Sequence, residues 1–255
     1  PYDLRVRNPS VVGAMTEALT GRPWLNIVDL ACGTGANLRA LSPHFESRQN
    51  WRMVDNDLSL LARVPQPESS SVTVATVPVD LNHDLEAALD GALDLIVTSA
   101  LFDLVSEAWL QRLTIEAAAR WLPVYAALSY DGRIAFNPAD ASDEQVTAAF
   151  NAHQRTDKGF GPALGPAAAR AAVDQFERVG YTVVRGNADW SFGPHDREIQ
   201  IELLSGWASA ARETGEVPLA DVVGWLTRRR DLVAAGRSSI QVGHLDLFAY
   251  PTGTR

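Results

Sequence analysis

Along residues 10–136, apolar runs alternate with stretches whose apolar positions recur every three or four residues. The runs LNIVDLA (25–31), WRMVD (51–55), VTVATVPVD (72–80), LDLIVTSA (93–100) and VYAALSYDGRIAF (124–136) read as strands, the last with a bend expected at Asp131-Gly132. Between them, residues 10–20, 35–42, 57–63 and 106–121 read as helices. In 106–121, Trp109, Leu113 and Ala117 share one face at spacings of four, and Ser106 is the expected N-cap. In 35–42, Leu38 and Leu41 point inward.

Strands alternating with helices imply parallel pairing through helical crossovers, a doubly wound α/β sheet. Its ligands bind outside the C-terminal ends of the strands. The residues that end each strand are therefore the ones to examine: Asp29 to Gly35, Asp55, Asp80, Thr98 to Asp103, and Tyr130.

The second half is less regular. Residues 142–154 and 167–180 read as helices, the second stopped by Gly180, and 181–190 as a strand. The segment RTDKGFGPALGP (155–166), with three glycines and two prolines, is expected to be a loop. Helical patterns follow at 196–213, carrying Ile199, Leu203 and Trp207, and at 218–235, before the alternating strand SIQVGHLDLFAY (239–250). The last two strands are expected to pair antiparallel at one edge. The stretch between them is too long for a hairpin and is expected to fold over the strand ends as a helical cap.

The 255 residues suffice for one large domain, and their net charge of −9 repels nucleic-acid phosphates and anionic membranes. Arg228-Arg229-Arg230 runs against that charge and reads as a solvated helix face. One cysteine excludes an internal disulfide, and no Cys/His spacing suggests zinc. The first ten residues lack a leader pattern, and no apolar run approaches the roughly 20 residues of a spanning helix. The cytoplasm is the expected location, and a small molecule the expected partner.

IVDLACGTGAN (27–37) joins a strand to Gly33 and Gly35. A dinucleotide fingerprint would place a third glycine where Leu38 stands, and no P-loop string occurs. Instead Asp29 precedes the turn. An acid there is awkward for a pyrophosphate and suits a ligand carrying a cation.

VDLACGTGAN resembles motif I of the class I S-adenosylmethionine-dependent methyltransferases, with Ala31 where glycine is commoner. The resemblance covers residues 25–136, and in outline 167–190 and 240–250. It implies a Rossmann-like sheet, mostly parallel with an antiparallel last strand, in a single methyltransferase domain over 1–255. Its core would be 25–136, 167–190 and 239–250, with cap or lid segments at 1–20, 142–166 and 194–236. It implies S-adenosylmethionine as cofactor and S-adenosylhomocysteine as product. Asp29, Ala31, Gly33 and Gly35 would form the cofactor turn, and Asp55 would accept from both ribose hydroxyls. Asn56 and Leu81 would flank the adenine, Asp80 would accept from its amine, Ser99 and Ala100 would line the ligand, and Arg7 would meet the methionine carboxylate. Taken singly, the glycines read as a tight turn, Asp55 as a helix cap and Asp80 as a turn former. Their order on successive strand ends is the signal.

Methyl transfer needs chiefly an aligned acceptor, so catalytic residues vary across this fold. The [DN]-P-P-[YFW] string of many base and amide methylases is replaced by TSALFD (98–103), which argues against nucleic-acid bases. The acceptor side is expected from Phe102, Asp103, Tyr130 and Trp190, with His153, Arg155, Asp157 and Lys158 beside a glycine-hinged loop. His153 is the candidate general base. His83, His195 and His244 read as surface or structural residues, and Cys32 as packing. The expected reaction is methyl transfer to a small-molecule oxygen or nitrogen. A protein methyltransferase, a non-catalytic cofactor-binding protein and a nicotinamide oxidoreductase are the alternatives.

Overall fold

The computed structural model describes residues 6–67 and 69–253. Strands β1 (Trp24–Leu30), β2 (Arg48–Asp55), β3 (Val72–Pro78), β4 (Leu95–Ser99), β5 (Val124–Asn137), β6 (Tyr181–Asn187), β7 (Trp190–Phe192) and β8 (Ser239–Pro251) form one sheet. Their order is β3-β2-β1-β4-β5-β8-β6, with β7 paired to β8. The first five strands pair in parallel, and β8 runs antiparallel to β5 and β6. Leu30 pairs with Val54 on one side and Thr98 on the other. The residues that follow, Ala31, Asp55 and Ser99, therefore emerge together at one edge of the sheet.

Helices cover both faces. On one side α4 (Leu85–Ala88), α5 (Glu107–Arg120) and α7 (Ala168–Arg178) bury Leu85, Trp109, Leu113, Ala172 and Phe176 against Val28, Ile96, Val124 and Leu247. On the other, α1 (Pro9–Ala18), α2 (Ala36–Leu41) and α3 (Leu58–Leu61) bury Val11, Met15, Leu38, Leu41 and Leu61 against Ile27, Met53, Val97 and Tyr125. The segment 1–20 was expected to act as a cap, but α1 belongs to this core layer; residues 1–5 lie outside the described residues. The short α4 has no counterpart in the sequence pattern; its one turn buries Leu85 and Ala88.

β5 continues well past β4, whose Ser99 pairs with Ala127. Its far half pairs with the start of β8 and carries α6 (Asp143–His153), α8 (Arg197–Thr214) and α9 (Leu219–Ala234). These helices close a third apolar cluster around Tyr130, Trp207, Trp225, Ile240 and Val242. The arm is built on the part of β5 that runs past the C-terminal end of β4. The strand expected over 181–190 is broken in two. At the break Asp189 turns its carboxylate to the His244 N–H, Arg133 and Gln241.

The arginine triplet departs from a solvated face. Arg228 pairs with Asp140, and Arg230 donates to Ser205, but Arg229 is wholly buried. Its guanidinium forms an ion pair with Asp143, donates to the Pro138 carbonyl at 2.7 Å and lies over the Phe136 ring at 4.4 Å. Trp225 Nε1 donates to the same Asp143 carboxylate at 2.8 Å. A charged residue in a basic run was thus recruited to tie α9 to the start of α6.

Removing one partner of a buried pair strands the other charge. Asp143→Ala should lower stability by about 3 kcal/mol, seen as a lower urea midpoint. A loss of under about 0.5 kcal/mol, the range of ordinary surface changes, would show that Arg229 finds water instead.

Candidate active site

The loop after β1 has three left-handed residues, Ala31 (φ 52°), Gly33 (φ 53°) and Gly35 (φ 82°). Glycine holds such angles without strain, whereas Ala31 does so at a steric cost. The Cys32 N–H donates to Val54 O at 2.9 Å and the Gly35 N–H to Cys32 O at 2.9 Å, so the turn is bolted to β2. Gly35 also needs its bare Cα for packing, since a Cβ there would come within 3.3 Å of Pro65. Among the described residues other than its chain neighbours, none comes within 4 Å of where a Gly33 Cβ would stand, which leaves room against the backbone.

Asp55 ends β2 and accepts the Gly33 N–H at 2.9 Å and the Asp57 N–H at 3.0 Å, one on each oxygen. A carboxylate has about four acceptor positions, so two remain for incoming hydroxyls. The carboxylate is largely buried, and the glycine turn and α3 fix its orientation. Asn56 beside it is exposed.

Asp29 is wholly buried. Its Oδ1 accepts Asn37 Nδ2 at 2.8 Å, and Asn37 Oδ1 in turn accepts Arg7 Nη2 at 2.9 Å. Arg7 Nη2 also lies 3.4 Å from Ser99 Oγ. The relay is open at both ends: among the described residues, Asp29 Oδ2 and Arg7 Nε and Nη1 are buried with no partner at hydrogen-bonding geometry. Burial pushes the Asp29 carboxyl up to about 7; the Asn37 hydrogen bond and the Arg7 charge oppose this, and Asp55 adds to it. The site thus offers an anion-accepting group and a cation-accepting group joined by one amide, which matches the carboxylate and ammonium of an amino acid. Asn37 was not singled out in the sequence. Its spacing of four from Leu41 puts it on the buried face of α2, and that was the available signal.

The adenine-side residues are more open. Asp80 is exposed and accepts from the Asn82 N–H at 2.9 Å, with His83 Nδ1 at 2.9 Å. The hydrogen bond with His83 leads in holding its carboxyl below the usual range. Leu81 is buried and its carbonyl accepts Trp109 Nε1 at 2.7 Å. Ala100, at φ 51°, turns the chain sharply at the end of β4. Cys32 is buried beside Asp29 and Asp55; burial, then those charges, push its thiol up and keep it inert.

On the acceptor side, Asp103 and Tyr130 come together. Asp103 is buried, and its Oδ1 has no hydrogen-bond partner among the described residues. Burial raises its carboxyl to about 6, against the backbone N–H groups of Asp103 and Tyr130. Tyr130 reaches α6 through its hydroxyl, which donates to Asn151 Oδ1 at 2.7 Å. Phe102, expected to line the acceptor, is wholly buried in the α5-side core. Its position in the sequence placed it at the strand end, but the chain turns it inward. Trp190 is half-buried, with its ring 4.7 Å from that of His244.

The loop after α6 is tied down rather than freely hinged. Asp157 Oδ1 accepts the Gly159 and Gly161 N–H groups. The Leu164 N–H donates to Val105 O at 2.8 Å and the Gly165 N–H to Asp103 O at 3.0 Å. His153 has Glu213 at 2.9 Å on Nε2 and Lys158 at 3.4 Å on Nδ1. Both ring nitrogens thus have a partner, and Glu213 is largely exposed. Arg155 packs its stem beside Gly165.

No family profile matches the chain, and no curated protein matches it. The fold is similar to that of a cyclopropane-fatty-acyl-phospholipid synthase-like protein from Lactobacillus casei, with a TM-score of 0.55 at 15% identity, over 94% of this chain and 90% of that one. It is also similar to a candidate methyltransferase from Bacillus halodurans C-125, with a TM-score of 0.51 at 11% identity, over 95% of this chain and 100% of that one. The architecture is the class I methyltransferase fold. Among the described residues, no helix is long and apolar enough to cross a membrane.

Asp29 and Asp103 hold protons in the folded state that the unfolded chain releases near 3.8. The stability this confers is complete below that value and is lost as pH rises through about 6 for Asp103 and about 7 for Asp29. The urea midpoint of the ligand-free protein should therefore fall more between pH 5 and pH 7.5 in the wild type than in Asp29→Asn. Equal falls would mean that Asp29 ionises freely in the folded protein.

Proposed function

We propose that the protein transfers a methyl group from S-adenosylmethionine to the oxygen or nitrogen of a small molecule, in a site covered by the α6–α8–α9 arm. The observation that carries this reading is the open-ended relay Arg7–Asn37–Asp29, buried at the end of β1. A dinucleotide would bring a pyrophosphate towards the Asp29 carboxylate, which repels it. The amino-acid end of S-adenosylmethionine brings an ammonium for Asp29 Oδ2 and a carboxylate for Arg7.

The other residues follow the same placement. Asp55 holds the ribose hydroxyls, and Gly33 lets the backbone approach. Asn56, Asp80 and Leu81 hold the adenine, and Ser99 and Ala100 line the path between. The cofactor supplies an activated methyl group, so the chain has two further tasks: to align the acceptor and to exclude water. Tyr130, fixed by Asn151, forms the wall, and the pinned loop at 155–166 closes over it. Asp103 replaces His153 as the candidate general base. It is buried, has an unpartnered oxygen and titrates near 6, within reach of a base working at neutral pH. The acidic surface and the lack of a methylase string after β4 support a small-molecule acceptor.

Calorimetric titration with S-adenosylhomocysteine, against NAD as comparison, tests the reading. Wild type should bind the former alone. Asp55→Ala should stay folded and bind about 100-fold more weakly, the loss of charge-assisted bonds worth roughly 3 kcal/mol together. Undiminished binding by Asp55→Ala would remove the ribose assignment. Binding of NAD alone would replace the whole reading with a nicotinamide enzyme.

A further inference from the structure

We propose that Asp246 is a positioning residue that sets the cofactor clamp and the acceptor wall in one register. It touches neither ligand; it acts through Arg7 and through the bend in β5. The inference rests on the cofactor reading above.

Asp246 lies in β8, the central antiparallel strand, and is wholly buried. Its Oδ2 accepts the Asn8 N–H at 2.8 Å and the Tyr125 hydroxyl at 3.3 Å. Its Oδ1 accepts the Leu128 N–H at 2.8 Å. Each of the two backbone donors belongs to a segment with a job in the site. Asn8 immediately follows Arg7, whose guanidinium meets Asn37 and Ser99. Leu128 sits at φ 53° within the shift of register between Ala126 and Ser129, which sends β5 on towards Tyr130.

Neither donor would find a partner in regular pairing. Leu128 falls in the irregularity of the β5–β8 ladder. Asn8 is the N-cap residue of α1, outside the helix. One carboxylate satisfies both, and a buried N–H without an acceptor would cost about 1–3 kcal/mol. The seat for Asn8 is built into the sheet as well. Its Nδ2 donates to Asn187 O at 2.9 Å, and a Cβ on Gly186 would come within 2.3 Å of its amide. The chain therefore keeps a bare backbone at Gly186 where the Arg7–Asn8 segment crosses β6.

Charge completes the link. Burial raises the Asp246 carboxyl, and the two backbone N–H groups and then the Arg7 charge hold it down. Arg7 thus favours the ionised form that anchors its own segment. The sequence signal was an acid at a core-facing position in the alternating run GHLDLFAY.

The test is a double-mutant cycle read by calorimetric titration with S-adenosylhomocysteine. Asp246→Asn keeps the shape but presents an amide N–H to one of the two donors. It should lower affinity at least tenfold in the wild-type background and less than twofold in the Arg7→Ala background, because its effect passes through Arg7. A loss of equal factor in both backgrounds, or no loss in the first, overturns the proposal. Should Asp246→Asn not fold, Asn8→Pro, compared with its control Asn8→Ala, breaks the same anchor from the other side: it removes the N–H and sets the ring carbon against Asp246 Oδ2, at a φ of −68° that proline accepts. Asn8→Pro should then bind at least fivefold more weakly than Asn8→Ala, and equal binding overturns the proposal. A wild type that binds no S-adenosylhomocysteine sinks the cofactor reading instead, before the cycle begins.

Discussion

A buried carboxylate with one oxygen unmatched among the described residues is the constraint on which the site depends. Asp29 stands at the end of the central strand, wholly buried, with a single amide for company. Burying such a charge is costly unless a cation meets it. The chain does not supply that cation directly. It sets Arg7 one amide away and leaves part of its guanidinium unmatched too. On the proposed reading, two opposite deficits held apart by Asn37 would be filled at once by a ligand that carries both an ammonium and a carboxylate.

The rest of the fold holds those groups in place. The parallel register brings Ala31, Asp55 and Ser99 to one edge. Left-handed backbone at 31, 33 and 35 turns the chain tightly enough for Asp55 to hold the Gly33 N–H. β8 then runs back through the sheet, and its one buried acid reaches the segment carrying Arg7 and the bend leading to Tyr130. The buried Arg229–Asp143 pair does the corresponding work in the arm, fixing α9 to α6.

Much of this was legible in the order of residues. Strands β1, β4 and the first half of β5 read as apolar runs because helices cover both their faces, and the long helices follow the 3.6-residue period because each buries one face. The placement of Asp29, Gly33, Gly35 and Asp55 at one edge of the sheet could be read because they lie at and just after the ends of β1 and β2. Asp103 was named for its place after β4, and its unpartnered oxygen gives that place a chemical reason. Other features were not legible, because they depend on contacts between distant segments. Arg229 looks solvated until Asp143 and Phe136 are brought to it. The contacts of His153 with Glu213 and Lys158 join segments up to 60 residues apart. Phe102 looks like a pocket wall until the turn after β4 rotates it into the core. The role of α1 as a core layer depends on β6 and β8, which are encoded more than 150 residues later.

The central claim is that the buried relay reads the amino-acid end of the cofactor. The most direct measurement compares the affinities of the wild-type protein for S-adenosylhomocysteine and for 5′-methylthioadenosine, which shares the nucleoside but lacks the ammonium and the carboxylate. Two desolvated charged contacts predict that the first binds at least about 100-fold more tightly. Equal affinities would contradict the account, leaving the nucleoside pocket as the source of binding and the relay as internal packing.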